Sequence, residues 1–301
     1  MQLAPIALFV YNRPTHTEQT LSALSKNELS SKHMIYVFVD GLVNKEESAK
    51  QDSVMLILAK YDTHFKRMEI IRRPENLGVD DSIFQGVTHV LKLHDKIIVL
   101  EDDIVTAKGF LSYMNHYLTT YQNDDSIYSI CGFSFPLKTS DFAVVKTIGV
   151  TGIWGWATWS RAWSGFERDG SLYYEKLMNM NQNEKDRFNF FGGYNYQEFL
   201  HKNAQSQNDC WDIQWYAYTY TEGKFCLSPT KSLVENIGHD GTGVHSQNTS
   251  DYDTYTYEEI PYWPEIQLND IPFIIKISRY LKRISAVPIM FKFKRFIKSL
   301  I

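Results

Sequence analysis

Short apolar segments alternate with longer segments of helical periodicity over the first 130 or so residues of the chain. The apolar segments are rich in β-branched and aromatic side chains and nearly free of polar ones, which predicts strands covered on both faces. The predicted strands are Pro5–Tyr11, Met34–Val39, Met68–Arg72, Lys96–Leu100 and Ser126–Cys131. Such alternation is typical of an α/β fold with a Rossmann-like, mostly parallel sheet flanked by helices.

Between these segments, apolar residues recur every three or four positions, as on one face of a helix. Polar residues that accept hydrogen bonds from free backbone amides precede each set and predict its start. The first predicted helix carries Leu21 and Leu24 after a cap at Thr15 or Thr17. The second carries Ile83, Val87 and Leu91 after a cap at Asp80, Asp81 or Ser82. The third carries Phe110, Met114 and Leu118 and follows Thr106.

The alternation stops near residue 132, and the following segment is aromatic and polar. It contains WGWATWSRAW at 154–163, FNFFGGYNY at 188–196 and CWDIQWYAYTY at 210–220. Large amphipathic rings at this density are typical of a ligand-binding region. We therefore predict two halves of one domain, 1–132 and 133–265, followed by a tail at 266–301.

The tail is basic and amphipathic. From residue 271 to residue 301 there are eight Lys/Arg and no Asp/Glu. As a helix, it places Ile289, Phe293 and Ile297 opposite Lys294 and Lys298. This pattern predicts two short helices, divided at Pro288, on an anionic membrane surface. The alternative is a C-terminal helix pair packed on the catalytic domain with its charges in water.

Composition excludes several classes of protein. With 301 residues, 44% hydrophobic and 22% charged, the chain is long and apolar enough to fold. Its net charge of -4 and pI near 6.1 disfavour nucleic acid as a partner. Three cysteines without C-x-x-C spacing suggest neither a disulfide framework nor a zinc site. The N-terminal apolar run is too short for a signal peptide, so a cytoplasmic protein is expected.

The motifs of kinases, dinucleotide-binding dehydrogenases, serine hydrolases and zinc proteases do not occur in the sequence. The strongest chemical signal is Glu101-Asp102-Asp103, directly after the apolar segment ending at Leu100. Three adjacent carboxylates repel one another, and a divalent cation that prefers oxygen ligands would relieve this. Ligands of open α/β sheets bind at this end of the strands. The alternative is a solvated turn or a helix N-terminus.

Other polar turns are expected at the same edge, because they also follow predicted strands. They are Tyr11-Asn12-Arg13-Pro14, Asp40-Gly41 and Asn76-Leu77-Gly78. In this combination the chain resembles the GT-A glycosyltransferases, in particular bacterial nucleotide-sugar transferases and the N-acetylglucosaminyltransferase I type, whose acidic triplet reads Glu-Asp-Asp. The matching segments are APIALFVYNRPTHTEQTLSAL, NLGVDDSIFQGV, IIVLEDDI, WGWATWSRAW and NIGHDGTGVH, within residues 3–245.

The resemblance implies a GT-A fold in which residues 1–132 bind a nucleotide sugar and residues 133–265 bind the acceptor. It assigns Asp103 as the ligand of Mn²⁺ or Mg²⁺, together with the donor diphosphate and water. The other implied donor contacts are Tyr11, Asn12 and Arg13 at the base and ribose, Asp40 at the base or ribose hydroxyls, Asp102 at the ribose, and the neighbouring Glu101 and Gly78. Arg13 as a plain surface residue and Asn12 and Asp40 as turn residues are the alternatives.

The Trp211-Asp212 pair resembles the element that holds the catalytic base of the N-acetylglucosaminyltransferase I type. An Asp beside an indole is partly desolvated and becomes a stronger base, so Asp212 is the predicted general base. The alternatives are an N-cap role for Asp212 and Asp209 as the base.

The remaining site candidates are aromatic residues and a histidine. Trp154 and Trp156, near Gly152 and Gly155, are predicted to stack on sugar, although about half of such rings are expected to pack inside the domain. In the late glycine-rich loop, His245 rather than His239 is the candidate for approaching the metal or diphosphate, with a plain surface histidine as the alternative.

These features predict a metal-dependent inverting glycosyltransferase that uses a nucleotide-diphosphate sugar, most simply UDP-linked. The predicted acceptor is a lipid-linked glycan in bacterial surface polysaccharide assembly, with the enzyme peripheral on the inner face of the cell membrane. Three alternatives stay open: a non-catalytic nucleotide- or sugar-binding protein of the same fold, a retaining glycosyltransferase, and a sugar nucleotidyltransferase, whose Gly-rich basic loop after the first strand is not found here.

Overall fold

The computed structural model describes residues 2–139, 141–149, 152–242, 248–254, 256–257, 264–268 and 270–298, with side chains up to residue 284 in the last helix. In chain order the helices and strands are β1 Ile6–Val10, α1 Pro14–Ser25, β2 Met34–Val39, α2 Ser48–Tyr61, β3 Arg67–Arg72, α3 Gly78–Leu91, β4 Lys96–Glu101, β5 Ile104–Thr106, α4 Phe110–Thr120, β6 Ile127–Cys131, β7 Val144–Ile148, β8 Trp156–Trp159, α5 Ser160–Trp163, α6 Gly170–Met178, α7 Gln182–Phe188, α8 Tyr196–Ala204, α9 Trp211–Thr221, β9 Phe225–Pro229, β10 Val234–Asn236, β11 Ile266–Gln267 and α10 Ile271–Lys298.

Nine strands form one mixed sheet in the order β11-β7-β9-β6-β8-β4-β1-β2-β3. β1 runs parallel to β2 and β4, and β2 runs parallel to β3, as crossover helices require. β8 is antiparallel to both β4 and β6, and β7 is antiparallel to β9. The predicted α/β fold, a mostly parallel sheet flanked by helices, is therefore confirmed. Strands from both predicted halves belong to this sheet.

A separate antiparallel ribbon joins β5 to β10, with Ile104 opposite Asn236 and Thr106 opposite Val234. β5 comes directly after the acidic triplet, and β10 comes directly before the glycine-rich loop. The ribbon thus brings two segments more than 100 residues apart to the same edge of the sheet.

The five predicted strands exist, with each bound shifted by at most one residue, but one expectation about them is wrong. β3 is not covered on both faces: it is the edge strand of the sheet and its residues are partly or fully exposed. Charged residues Arg67, Glu69 and Arg72 give the strand a solvent-facing character that suits an unpaired edge.

Two predicted helix starts are also wrong. α1 begins at Pro14, where a fixed φ and a missing N–H suit the first helical position, and the Thr17 hydroxyl donates to the Arg13 carbonyl 2.9 Å away. α3 begins at Gly78, two residues before Asp80, because the side chain that holds its first amides comes from Asp40.

Two hydrophobic cores lie on opposite faces of the sheet, because successive strand residues point to opposite sides. Ile6 and Leu8 of β1 face one core, and Ala7 and Phe9 face the other. The second core is aromatic and contains Trp156, Trp163, Trp211 and Trp215, which pack on one another with ring centroids 5.1 to 6.2 Å apart.

The C-terminal segment differs from its prediction. A single helix, α10, continues through Pro288, where the missing N–H removes one backbone donor from the helix. In its first turns, Ile274, Ile277 and Leu281 are buried in the aromatic core, as the packed alternative requires. The side chains from 285 onward, including the predicted Ile289–Leu300 face, lie outside the described residues. Within the described part of the chain, no helix is both long and apolar enough to cross a membrane.

Candidate functional site

The acidic triplet lies at the carboxyl end of β4, near the middle of the sheet. Glu101 is the last residue of the strand, and Asp102 and Asp103 form the turn into β5. Asp102 is 7% exposed, and its backbone carbonyl accepts a hydrogen bond from the Thr20 hydroxyl. The triplet is therefore a buried turn anchored to α1 and not a solvated one.

Arg13 is the direct partner of these carboxylates. β1 and β4 are parallel neighbours, with Phe9 beside Glu101, so the residues that follow both strands meet at one edge. The Nη1 atom of Arg13 donates to Asp103 Oδ2 at 2.8 Å and lies 3.3 Å from Asp102 Oδ1. The structure thus places Arg13 on the acidic triplet, where the resemblance implied a base or ribose contact. Its buried Nε and Nη2 atoms have no partner among the described atoms.

The cluster holds more negative charge than Arg13 can neutralise. Burial raises the pKa of Glu101 well above its ordinary value, and the charges of Asp103, Asp102, Asp212 and Asp80 raise it further. Burial and then Asp103 raise the pKa of Asp102 to about 7, against the opposing charge of Arg13. Five carboxylates from β4, α3 and α9 therefore share one region.

This donor set fits a hard divalent cation, since carboxylate oxygens and uncompensated negative charge are what such ions prefer. Asp103 and Asp102 are the residues in position to contact one. In the described part of the chain, no three metal-ligating side chains are gathered as a ready-made site.

The glycine-rich loop packs directly on Asp103. The Ile237 amide donates to the Asp103 carbonyl at 2.9 Å, and a Cβ added to Gly238 would lie 2.1 Å from Asp103 Oδ2. Burial lowers the pKa of His239, while the charge of Asp103 opposes this shift. His239, which sequence reasoning passed over, therefore lies at the site, whereas the predicted His245 falls outside the described residues.

Asp40 is a turn residue, which is the alternative to its predicted contact with a ribose. Its carboxylate accepts hydrogen bonds of 3.0 Å from the amides of Gly41, Leu77 and Gly78. Gly78, with φ of +74°, occupies the left-handed region that favours glycine. Asp40 thus fixes the turn at the start of α3, and its oxygens are already engaged.

The other residues predicted after β1 lie beside this turn. The Tyr11 hydroxyl donates to Glu47 and accepts from the Val43 amide at 3.0 Å. Burial raises the pKa of Tyr11, and the hydrogen bond to Glu47 raises it further. Asn12 is partly buried at the end of β1, next to Arg13.

Asp212 lies in the first turn of α9, one residue past Trp211, and is not the N-cap, which is Cys210. Its Oδ1 accepts from the Ile213 amide at 2.6 Å, and a hydrogen bond also links its side chain to the Cys210 thiol. A carboxylate at this position is favoured by the helix dipole.

Two acidic residues of α3 hold the start of α9. The Trp211 amide donates to Asp80 Oδ1 at 2.8 Å, and Arg168 bridges Asp81 to Asp209. Sequence reasoning treated Asp80 and Asp81 only as caps of α3, because no local pattern reveals a partner 130 residues away. Asp209, the fallback base, is engaged by Arg168 at the surface, which counts against it.

A cleft of about 580 Å³ adjoins this cluster and includes Asp212, His239 and Trp154 in its wall. The Trp154 ring contacts His239 and Tyr252, with centroids 5.2 and 5.5 Å apart. Trp156, also predicted to stack on sugar, is 2% exposed in the tryptophan core, so that prediction is wrong. Two residues apart in a regular strand, the two rings would point to the same face, but Trp154 precedes β8 and Gly155, with φ of +61°, turns the chain between them.

Comparisons with known proteins give no family assignment. No protein-family model matches the chain, and no curated protein matches it. Among solved structures, it is similar to Staphylococcus aureus TarS (residues 1–349), with 12% identity, TM-score 0.46 and coverage of 77% of this chain and 59% of that one. A second TarS structure aligns over 23% of its own length, with 11% identity, TM-score 0.34 and 46% of this chain. The chain therefore spans less than two thirds of these proteins.

Two further solved structures are similar over about 70% of this chain. The mannosyltransferase PcManGT from Pyrobaculum calidifontis, in complex with GDP-Man and Mn²⁺, has 10% identity and TM-score 0.42, over 72% of this chain and 69% of that one. The 4-diphosphocytidyl-2C-methyl-D-erythritol synthase from Anaerococcus prevotii DSM 20548 has 12% identity and TM-score 0.31, over 68% and 96%.

Proposed function

We propose that this protein is a metal-dependent glycosyltransferase that moves a sugar from a nucleotide-diphosphate donor to a hydroxyl group of a glycan acceptor. The observation that carries the proposal is one cluster of carboxylates beside a cleft walled by aromatic rings. In this cluster the charges of Asp102, Asp103 and Asp212 all raise the pKa of Glu101. A GT-A enzyme needs these two sets of carboxylates at one place, one for the donor and one for the acceptor.

The donor is held at the carboxyl ends of β1 and β4. Asp103, with Asp102 beside it, would hold a Mn²⁺ or Mg²⁺ ion at this edge of the sheet. When bound, the ion neutralises the charge that builds on the departing nucleotide diphosphate. Two buried nitrogens of Arg13, Nε and Nη2, have no partner among the described atoms, and phosphate oxygens at this edge would accept hydrogen bonds from them. Arg13 therefore contacts a phosphate of the bound donor.

The acceptor is activated by Asp212. Its carboxylate lies in the wall of the cleft and takes the proton of the attacking hydroxyl. Asp80 positions Asp212, because its carboxylate accepts a hydrogen bond from the Trp211 amide at the start of α9. Direct attack by a hydroxyl that Asp212 deprotonates makes the reaction inverting.

The cellular setting is a separate part of the proposal. A lipid-linked acceptor and a peripheral position on the inner face of the cell membrane rest on the basic residues between 285 and 298. The docked first turns of α10 leave that role to this second part of the helix.

The test is release of nucleotide diphosphate from a panel of UDP-, GDP- and dTDP-sugars by the purified protein, with Mn²⁺, with Mg²⁺ and with EDTA. We expect metal-dependent release from one donor, and its loss in Asp103→Asn.

Asp95→Asn is the matched control, because Asp95 is exposed at the opposite end of the same strand. Release that ignores EDTA, or that survives in Asp103→Asn, contradicts the proposed metal site. If no donor is bound or turned over, the chain is a non-catalytic relative of these enzymes.

A further inference from the structure

The cleft beside Asp212 has an unusual balance of charge. Its lining residues among those described include two carboxylates, Asp212 and Asp251, and neither a lysine nor an arginine. The described parts of the segment that supplies His239, Thr249, Asp251 and Tyr252 to this wall, residues 236–242 and 248–254, also contain no lysine or arginine. Among the described lining residues, no side chain carries a permanent positive charge that would pair with a phosphate or a carboxylate of a ligand, and burial lowers the pKa of the one basic side chain there, His239.

Aromatic rings make up much of the rest of the wall. The rings of His239 and Tyr252 are stacked with centroids 4.9 Å apart, and Trp154 meets both of them edge-on. Tyr194 also lines the cleft and is 42% exposed, so its ring is available to a ligand. Exposed faces of this kind suit the CH groups of a pyranose ring.

The two carboxylates and the two phenols lie within reach of one another. Burial raises the pKa of Tyr194, and the negative charge of Asp212 raises it further. Burial likewise raises the pKa of Tyr252, followed by the charges of Tyr194 and Asp251. Both phenols therefore keep their protons at neutral pH and can donate hydrogen bonds to sugar hydroxyls, while the carboxylates accept them.

We propose that this cleft selects an uncharged sugar acceptor and that Asp251 is a residue that excludes anionic ones. The inference rests on the proposed function and deepens it, because it names the acceptor class. A uronic acid, a sugar phosphate or a diphosphate inside the cleft would place its charge beside Asp212 and Asp251, where the described lining residues include neither a lysine nor an arginine. If the acceptor is carried on a lipid diphosphate, the phosphates lie outside this cleft.

The expected selectivity follows from Coulomb's law. Two unit charges about 6 to 12 Å apart at an effective dielectric of about 20 give a discrimination of about tenfold to a hundredfold. Asp212 and Asp251 both repel an anionic sugar, so neutralising Asp251 alone removes only the part of the discrimination that Asp251 causes.

The experiment measures binding of neutral disaccharides, and of the same disaccharides bearing a terminal uronic acid or a 6-phosphate, by NMR and calorimetry. The proteins are wild type, Asp251→Asn and Asp253→Asn. Asp253 is the matched control, because it is an exposed aspartate two residues away and is not among the lining residues. We expect neutral disaccharides to bind at least about tenfold more tightly than their charged counterparts, and Asp251→Asn to narrow that gap while Asp253→Asn leaves it.

Equal or tighter binding of the charged sugars, an unchanged gap in Asp251→Asn, or no binding of any neutral disaccharide would overturn the inference. Hydrolysis of the nucleotide-sugar donor by water, measured on the same wild-type sample, separates the two proposals. Donor hydrolysis with the wrong charge preference rejects only the acceptor assignment. Neutral-sugar binding without any donor binding rejects the transferase and leaves a sugar-binding cleft.

Discussion

Arg13→Ala is the substitution that most directly probes the electrostatics of the site. Arg13 and its partners Asp102 and Asp103 have side chains only 10 to 16% exposed, so the ion pairs are largely buried. Removing one member of a buried pair costs about 3 to 5 kcal/mol, because the other charge is left without compensation. For a chain of this size we expect the unfolding temperature to fall by about 6 to 10 °C.

The loss depends on pH in a defined direction. The charge of Arg13 lowers the pKa of Asp102, so the substitution raises that pKa further above about 7. Below about pH 7 the carboxyl is protonated and uncharged in both proteins, and the cost of losing Arg13 is smaller. Between about 7 and the higher pKa of the variant, wild type has released this proton while folded Arg13→Ala still holds it, so the destabilisation grows with pH over this window and is constant above it.

Thermal unfolding followed by circular dichroism at several pH values between about 6 and 9 measures both effects. Arg13→Lys, which keeps the positive charge but not the planar group, is the control and should lose less stability. Mn²⁺ should stabilise Arg13→Ala more than it stabilises wild type, because the ion then supplies the missing charge. Unfolding of Arg13→Ala within about 1 °C of wild type at every pH would refute the reasoning.

Four further predictions follow from single contacts. Asp40→Ala removes the acceptor of three backbone amides and should cost about 2 to 3 kcal/mol, with Asp40→Asn in between, as measured by urea unfolding. Gly238→Ala should abolish Mn²⁺ binding measured by electron paramagnetic resonance, because the new Cβ meets Asp103 Oδ2. Gly223→Ala should keep Mn²⁺ binding, because its Cβ meets nothing within 4 Å and its φ of +65° costs only stability, about 1 kcal/mol. Asp80→Ala should lower kcat of transfer by about tenfold with donor KM nearly unchanged, and Asp80→Asn, which keeps the accepting oxygen, should restore much of it. Burial lowers the pKa of His33 to about 4, so the unfolded state binds the proton at a higher pH than the folded state does. The free energy of unfolding should therefore fall by about 3 kcal/mol as the pH drops from about 6.5 to 4. Urea unfolding at each pH measures this fall, which should be absent in His33→Gln.

The sequence predicts the sheet well and the site in part. Strands such as Ile6–Val10 are continuous apolar segments, and this signal does not depend on the rest of the chain. The acidic triplet could be placed for the same reason, since it directly follows such a strand. The strand β3 was placed correctly, but its edge position was not, because strand order depends on long-range pairing.

Contacts between distant segments were beyond the sequence. Nothing near Arg13 indicates that Asp102 and Asp103 are its partners, and nothing near Asp80 indicates that it holds Trp211. The aromatic residues at 154–163 gave one common signal, yet Trp154 lines the cleft and Trp156 lies in the core, because the glycine between them reverses the orientation of the chain.

The central claim is that two different carboxylates of one cluster serve the donor and the acceptor. The most direct test compares Asp212→Asn with Asp103→Asn in the transfer reaction, measuring nucleotide-diphosphate affinity with Mn²⁺ and the rate of transfer on the same samples. The account predicts that Asp212→Asn retains Mn²⁺-dependent nucleotide binding and loses about 10²- to 10⁴-fold in kcat, while Asp103→Asn loses the Mn²⁺-dependent binding itself. Equal behaviour of the two variants, or transfer at the wild-type rate in Asp212→Asn, would contradict it.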